Sequence, residues 1–314
     1  MRFMKKILFI IGTRPEAIKC APLIKKLSSL INDYSVKVCV TAQHRELLDQ
    51  VMDFFQISSD YDLRVMESNQ SLFTITSKCM HSLEKVFEEV NPDLVFVQGD
   101  TSTAFVGALA SYYCKTKVAH IEAGLRTKNK YSPFPEEINR DLISRIADFH
   151  FAPTQSNIVN LEREGILENT WTVGNTVIDA MFMGLEIINQ RNKEEFDNFF
   201  KFIDFDKRII LVTAHRRENL GEPLNNIFNA LKEISQKNTD VQIVYPMHLN
   251  PNIKDPAQEI LGEEKNIHLI KALDYAHLIW LMNKSFLVCT DSGGIQEEAP
   301  SLGKPVLVLR NDTE

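Results

Sequence analysis

"MRFMKKILFIIGTRPEAIK" opens the chain, residues 1–19. Lys5 and Lys6 before an apolar run give it the outline of a signal peptide. The run is too short for one, and Gly12-Thr13-Arg14-Pro15-Glu16 follows at once with no small-residue cleavage site. The stretch therefore reads as a strand over residues 6–11 that turns at Gly12 and enters a helix, with Pro15 preset for the first helical turn. Its apolar residues are continuous rather than alternating, as in a parallel sheet covered on both faces.

The same unit recurs downstream. Short apolar runs at 36–41, 94–98, 118–122, 149–152 and 171–173 read as strands. Amphipathic stretches at 16–30, 45–55, 72–89, 102–113, 135–147 and 155–164 read as helices between them. A second series has strands at 208–213, 241–245, 267–270, 286–290 and 305–309, and helices at 224–236, 275–282 and 295–302. Strand–helix repetition twice over predicts an α/β protein of two doubly wound, Rossmann-like domains. The polar helical stretch "LEIINQRNKEEFDNFFKFIDFDK", 185–207, marks the boundary, so domains of 1–184 and 185–314 are expected.

Composition narrows the function. The 314 residues are 44% hydrophobic and 25% charged with net charge −7, so a basic nucleic-acid surface is not expected. An anionic ligand is still compatible, because a cleft's local field can oppose the overall charge. The five cysteines (20, 39, 79, 114 and 289) form no C-x-x-C pair and read as reduced packing residues of a cytoplasmic protein. No apolar run approaches the ~20 residues that span a membrane. No His, Cys, Asp and Glu set has zinc-ligand spacing and no calcium loop is present, so neither metal nor cofactor is expected.

Doubly wound folds bind ligands beyond the carboxyl ends of their strands. At the first strand's end, Arg14 and Lys19 join the N–H groups of a helix start to make an anion site. The Walker A and G-x-G-x-x-G patterns are both missing. In "VQGDTSTA", 97–104, Asp100 reads either as the cap of the next helix or as a catalytic acid or base. Glu122 stands where the strand 118–122 ends, which is less easily a cap. Beyond the loop bracketed by Pro133 and Pro135 come Glu136, Glu137 and Arg140, with Glu137 read as a helix-start charge favoured by the dipole.

In the second series, His215, Arg216 and Arg217 follow a strand directly and read as phosphate contacts. Asp291-Ser292-Gly293-Gly294 resembles a serine-protease run, but a parallel strand precedes it and a helix follows. Ser292, Gly293 and Gly294 there present N–H groups to an anion, and Glu298, one turn on, can accept hydrogen bonds from ribose hydroxyls. His248, Gln43 and His44 also follow strands and read as structural or interface residues at least as readily. Together these groups suit a nucleotide diphosphate across an interdomain cleft, its reacting part near Asp100, Glu122 and Glu136.

The motifs "GTRPEAIK", "TAQHRE", "QGDTST", "HIEAGLRT…YSPFPEEINR", "GNTVIDA", "TAHRREN", "YPMHLNP" and "TDSGGIQEEAPSLGKPVLVLR" resemble, in collinear order from residue 5 to the end, the non-hydrolysing bacterial UDP-N-acetylglucosamine 2-epimerases. The resemblance implies the GT-B architecture, two Rossmann-like domains facing a central cleft. It implies interconversion of UDP-GlcNAc and UDP-ManNAc for surface polysaccharide, through loss of UDP to 2-acetamidoglucal and its re-addition. It further implies that no metal or nicotinamide takes part and that the chain pairs as a homodimer, as members of the family usually do. Asp100, Glu122 and Glu136 match the catalytic carboxylates. Arg14, His215 and the Ser292-Gly293-Gly294 turn match diphosphate contacts, Lys19 and Arg140 further cationic positions, and Glu298 the ribose ligand. Gln43, Gln70, Arg216, Arg217 and His248 match the region where some members bind UDP-GlcNAc as an activator, although activator-responsive members carry arginine where Asn69 stands here. Family chains continue beyond Glu314 with a strand and a long helix, so a second domain incomplete at its C-terminus is expected. The alternatives are a GT-B glycosyltransferase, a hydrolysing relative releasing ManNAc, and an inactive UDP-binding form.

Overall fold

The apolar run of residues 7–11 becomes the middle of a sheet, with side chains 0–3% exposed. The structure is a computed structural model that describes residues 4–41, 45–65, 70–191, 193–216, 219–247 and 250–310. The chain divides into two compact units, Met1–Ala180 and Met181–Glu314.

The first unit runs β1 (Lys5–Ile11), α1 (Arg14–Ser28), β2 (Tyr34–Val40), α2 (Arg45–Phe54), β3 (Tyr61–Asp62), α3 (Leu72–Val90), β4 (Leu94–Gln98), α4 (Ser102–Tyr113), β5 (Lys117–Ile121), α5 (Glu136–Ile146), β6 (Phe149–Ala152), α6 (Gln155–Arg163) and β7 (Thr170–Thr172). α7 (Thr176–Gln190) crosses into the second unit, which continues with α8 (Lys193–Phe199), β8 (Arg208–Thr213), α9 (Glu222–Lys237), β9 (Val241–Met247), α10 (Pro251–Leu261), β10 (Ile267–Lys271), α11 (Tyr275–Lys284), β11 (Leu287–Thr290), α12 (Gly293–Ser301) and β12 (Val306–Val308).

All strand pairs described are parallel. The first sheet is ordered β3-β2-β1-β4-β5-β6-β7 and the second β10-β9-β8-β11-β12, both doubly wound as expected. Strand order reverses between β1 and β4, and again between β8 and β11. These are the switch points where such sheets open a crevice at their carboxyl edge.

Packing follows from the apolar strands. Leu8, Ile10, Val95 and Val97 face Leu83, Phe87, Ala104 and Ala108 of α3 and α4 in one core cluster. Elsewhere in this sheet Phe9 stacks on Phe96, Phe96 on Phe151 and Phe151 on Trp171, at ring-centroid spacings of 4.8, 6.3 and 5.5 Å. In the second unit Ile210, Val212, Ile243 and Tyr245 pack on Leu224, Phe228, Leu231 and Ile253. Each fully buried side chain of this size contributes roughly 1.5–3 kcal/mol relative to exposure.

Several elements depart from the sequence reading. α1 begins at Arg14 rather than at residue 16. The two-residue β3 and the helix α10 were not expected. Residues 176–184 were assigned to no helix, yet they open α7. Of the cysteines, Cys20, Cys39, Cys79 and Cys289 are buried and free, while Cys114, just past α4, is exposed. Among the described residues no helix is long and apolar enough to cross a membrane.

Candidate active site

Gly12 is where β1 turns into α1. A Cβ there would overlap the side chain of Thr103 and touch the hydroxyl of Thr41, so only glycine lets these loops close. The tight turn starts α1 so that Lys19, a turn in, reaches Glu122 at the end of β5. Its Nζ lies 2.6 Å from Oε1 and 2.7 Å from Oε2. Gln98, the last residue of β4, donates its amide to Oε2, and Asn175 Nδ2 approaches Oε1 at 3.4 Å. Glu122 does not end the strand, as its sequence position suggested. β5 stops at Ile121, and Glu122 turns into the left-handed region with φ 66°. A non-glycine residue there carries strain that surrounding contacts must hold, and such residues gather at functional sites.

Asp100 follows one turn along the same edge. It does not cap α4; Thr101 does, its hydroxyl accepting the N–H of Ala104 at 3.0 Å. The carboxylate of Asp100 meets Arg140 Nε at 2.7 Å, and its backbone carbonyl accepts Asn139 Nδ2 at 2.8 Å. Burial pushes the carboxyl of Asp100 above its ordinary range. Arg140 opposes this, while the charges of Glu122 and Glu136 add to it. That mutual influence places the three expected carboxylates in one electrostatic neighbourhood, with Glu136 half-buried at the start of α5.

Glu137 stands in the first turn of α5, as its position suggested, but it is more than a helix-start charge. It is 4% exposed and accepts the backbone N–H of Thr127 (2.9 and 3.0 Å) and of Lys128 (2.7 Å), together with Arg140 Nη1 at 3.0 Å. Burial works against its charge, but these donors outweigh it and hold the carboxyl low. Glu137 thus pins the loop that leads to Glu136, and Arg140 ties that pin to Asp100.

Glu16 escaped the sequence reading altogether. It is 1% exposed and accepts Gly12 N–H at 3.0 Å and the Thr101 hydroxyl at 2.7 Å, linking the turns after β1 and β4. Burial raises its carboxyl to about 7 against the pull of these donors. The Thr13-x-x-Glu16 spacing of a capping box was the available signal. His120, on β5, sets its Nε2 against the carbonyl of Gly99 at 2.7 Å and is kept neutral, its pKa lowered to about 3 by burial. It thereby braces the turn that carries Asp100.

In the second unit the edge between β8 and β11 is built around Asp291, whose position in the sequence alone gives it no role. It is fully buried and accepts the backbone N–H of His215 and Arg216 at 2.8 Å each and Asn219 Nδ2 at 3.0 Å. Ser292 occupies the N-cap position of α12 without a side-chain capping bond. A Cβ on Gly293 would meet nothing within 4 Å, and one on Gly294 only Glu298 Oε2 at 3.8 Å. No neighbour among the described residues demands glycine there, whereas a ligand brought against bare N–H groups would. Glu298 is buried one turn further in, and His215 and Arg216 are exposed beside this edge.

The structure therefore groups Lys19, Asp100, Glu122, Glu136 and Arg140 in the first unit, with Arg14 half-buried at the start of the same α1. It groups His215, Arg216, Ser292, Gly293, Gly294 and Glu298 in the second. Gln70 donates its Nε2 to the carbonyl of Val65 at 3.0 Å. Gln43, His44, Asn69, Arg217 and His248 lie outside the described residues. Among the described residues no three His, Cys, Asp or Glu side chains are grouped as a metal site.

Comparison with known proteins gives this arrangement a family. The family profile for UDP-N-acetylglucosamine 2-epimerase matches residues 29–314. The UDP-N-acetylglucosamine 2-epimerase of Neisseria meningitidis serogroup A is 50% identical over 311 residues, 98% of this chain and 83% of that protein. That of Escherichia coli K12 is 49% identical over 312 residues, with the same coverages of 98% and 83%. The crystal structure of the Neisseria meningitidis enzyme bound to UDP-GlcNAc superposes with a TM-score of 0.90 at 50% identity, over 98% of this chain and 83% of that one. The S. aureus MnaA–UDP co-structure superposes with a TM-score of 0.85 at 48% identity, over 99% and 80%. By profile, by sequence and by fold, the chain belongs to the UDP-N-acetylglucosamine 2-epimerase family.

Proposed function

We propose that this protein interconverts UDP-GlcNAc and UDP-ManNAc without hydrolysing them, with the acid–base work done by Asp100, Glu122 and Glu136. The observation that carries the reading is the pairing of Glu122 with Lys19 beside an Asp100 whose carboxyl is pushed up. Carboxyls in unlike environments are what a reaction needs when one must take a proton and another must give one.

The chemistry follows from the substrate. C2 of the sugar has no adjacent carbonyl, so a free carbanion there is too costly. As one carboxylate removes the C2 proton, the C–H electron pair forms the C1–C2 double bond. The C1–O bond breaks and its electrons leave with UDP. Return of UDP to C1, with a proton delivered to the opposite face of C2, completes the inversion. Two faces require groups on both sides, which is why a single carboxylate does not suffice.

Departing UDP needs donors that hold it for return. The start of α12 at Ser292, Gly293 and Gly294, with His215, is assigned to the diphosphate, and Glu298 to the ribose; Arg14, at the start of α1, is assigned an anion contact in the first unit. Lys19 and Arg140 set the carboxylates. We further propose that the protein works as a homodimer in the cytoplasm, where nucleotide sugars are made.

Proton and phosphorus NMR of the protein incubated with UDP-GlcNAc tests the reading. A growing UDP-ManNAc signal with the nucleotide linkage intact supports it. Free N-acetylmannosamine accumulating with UDP would make the protein a hydrolysing enzyme, and an unchanged substrate would reduce it to a binding protein.

A further inference from the structure

β8 and β11 are neighbours at the reversal point of the second sheet, and Thr290 on β11 lies in register with Thr213 on β8. Asp291 follows directly, with no part of it exposed. Its two oxygens are treated very differently. Oδ2 accepts three N–H donors, from His215, Arg216 and Asn219. Oδ1 is also buried but makes no hydrogen bond among the described residues. His215 Nδ1 lies 3.6 Å from it.

An asparagine would serve the three N–H donors with its single oxygen. It would not bury a second acceptor lacking a donor, which is costly in a dry interior. The packing of the turn therefore does not explain the carboxylate; its second oxygen calls for a partner. His215 supplies one from an exposed side chain, and a small turn of its ring closes the remaining distance into hydrogen-bonding range.

We infer that Asp291 is the positioning residue for His215. Its Oδ1 takes the Nδ1–H of the imidazole, fixing the tautomer and the direction in which Nε2 faces the diphosphate. The inference rests on the diphosphate role proposed above for His215. With Nδ1 protonated toward Asp291, an Nε2 that donates to the diphosphate belongs to the doubly protonated ring. When the C1–O bond breaks, the electron pair goes to the phosphate oxygen and Nε2–H hydrogen-bonds the charge that gathers there. The proton stays on nitrogen and is still in place when UDP returns. A buried carboxylate that orients an imidazole in this way recurs among catalytic sites of unrelated folds.

The test is a double-mutant cycle in the whole chain, made of Asp291→Asn, His215→Ala and their combination. The rate read is deuterium uptake at C2 of UDP-GlcNAc in D₂O. The Asp291→Asn change keeps an oxygen for the three N–H donors but sets an amide N–H against Nδ1. Each single change is expected to slow uptake by at least about 10-fold, and the pair to be no slower than His215→Ala alone, as for residues that act as one unit. Losses that multiply in the pair overturn the inference, as does Asp291→Asn at the wild-type rate beside a slowed His215→Ala. His215→Ala at the wild-type rate overturns the role of His215 and the inference with it. Nitrogen-15 NMR of the unmutated protein with UDP reads the tautomer directly, whether or not the variants fold. A hydrogen-bonded Nδ1–H is expected, and an Nδ1 without a proton overturns the inference.

Discussion

Lys19 Nζ contacts both carboxylate oxygens of Glu122, at 2.6 and 2.7 Å, across 103 residues of chain. The contact joins the helix after β1 to the residue after β5, and it holds Glu122 in a left-handed conformation that its own side chain does not favour. Charge, backbone strain and an amide from Gln98 converge on one carboxylate. Glu122→Gln keeps the shape and removes one of the carboxylates proposed for the acid–base work. It should lower C2 proton exchange by roughly 100-fold or more while UDP still binds, since the diphosphate contacts proposed above do not include it. Lys19→Met should slow exchange in the same direction. Exchange at the wild-type rate in Glu122→Gln would remove that residue from the mechanism.

Arg140 is almost fully buried, with Asp100 at 2.7 Å on one side and Glu137 at 3.0 Å on the other. Removing a buried cation leaves its carboxylates uncompensated. Arg140→Ala should therefore cost about 3–5 kcal/mol in urea unfolding. Arg140→Lys keeps the charge but has no planar fork to serve both partners, so it should fall between the two. An Arg140→Ala midpoint within error of wild type would mean that the pair is already solvated.

Glu16 makes stability depend on pH. Its folded-state pKa is raised from 4.5 to about 7, so the folded state holds that proton more tightly than the unfolded one. The group's contribution is complete below 4.5 and is lost as pH rises through about 7. A shift of this size corresponds to about 3 kcal/mol. Glu16→Gln cannot titrate, so the variant should gain on wild type by about that amount between pH 4 and pH 8. Denaturation curves that keep a constant gap between the two proteins over this range would show that Glu16 is not buried in this way.

Gly293 separates ligand binding from folding. A Cβ there meets open space, and its φ is not left-handed, so Gly293→Ala should melt at or slightly above the wild-type temperature. The methyl group would stand where the diphosphate comes against the N–H groups of α12. Calorimetric affinity for UDP should fall by at least about 10-fold, or roughly 1.4 kcal/mol. Unchanged affinity would move the diphosphate away from this helix start.

The sequence disclosed most readily what local pattern determines. Buried parallel strands are continuous apolar runs, so β1, β4, β5 and β8, and the polar residues directly after them, were legible. α10 was not, because Pro251 and Pro256 break the pattern; the first sits at its opening turn and Asn250 caps it. β3 is too short to leave a signal. Glu137 was legible only as a helix-start charge, because its partners at 127 and 128 depend on how the intervening loop folds back. The left-handed turn at Glu122 has no local signature, since Lys19, Gln98 and Asn175 impose it from three other places in the chain. Asp291 needed the knowledge that β8 and β11 are neighbours, which spacing alone does not supply.

Proton inversion at C2 is tested most directly by incubating the whole chain with UDP-GlcNAc in D₂O and reading the sugar by mass and proton NMR. Deuterium at C2 of both UDP-GlcNAc and UDP-ManNAc is expected, with uptake slowed roughly 100-fold or more when Glu122→Gln replaces the wild type. Epimerised sugar that retains its original C2 hydrogen, or deuterium uptake undiminished in the variant, would contradict the roles given to these carboxylates.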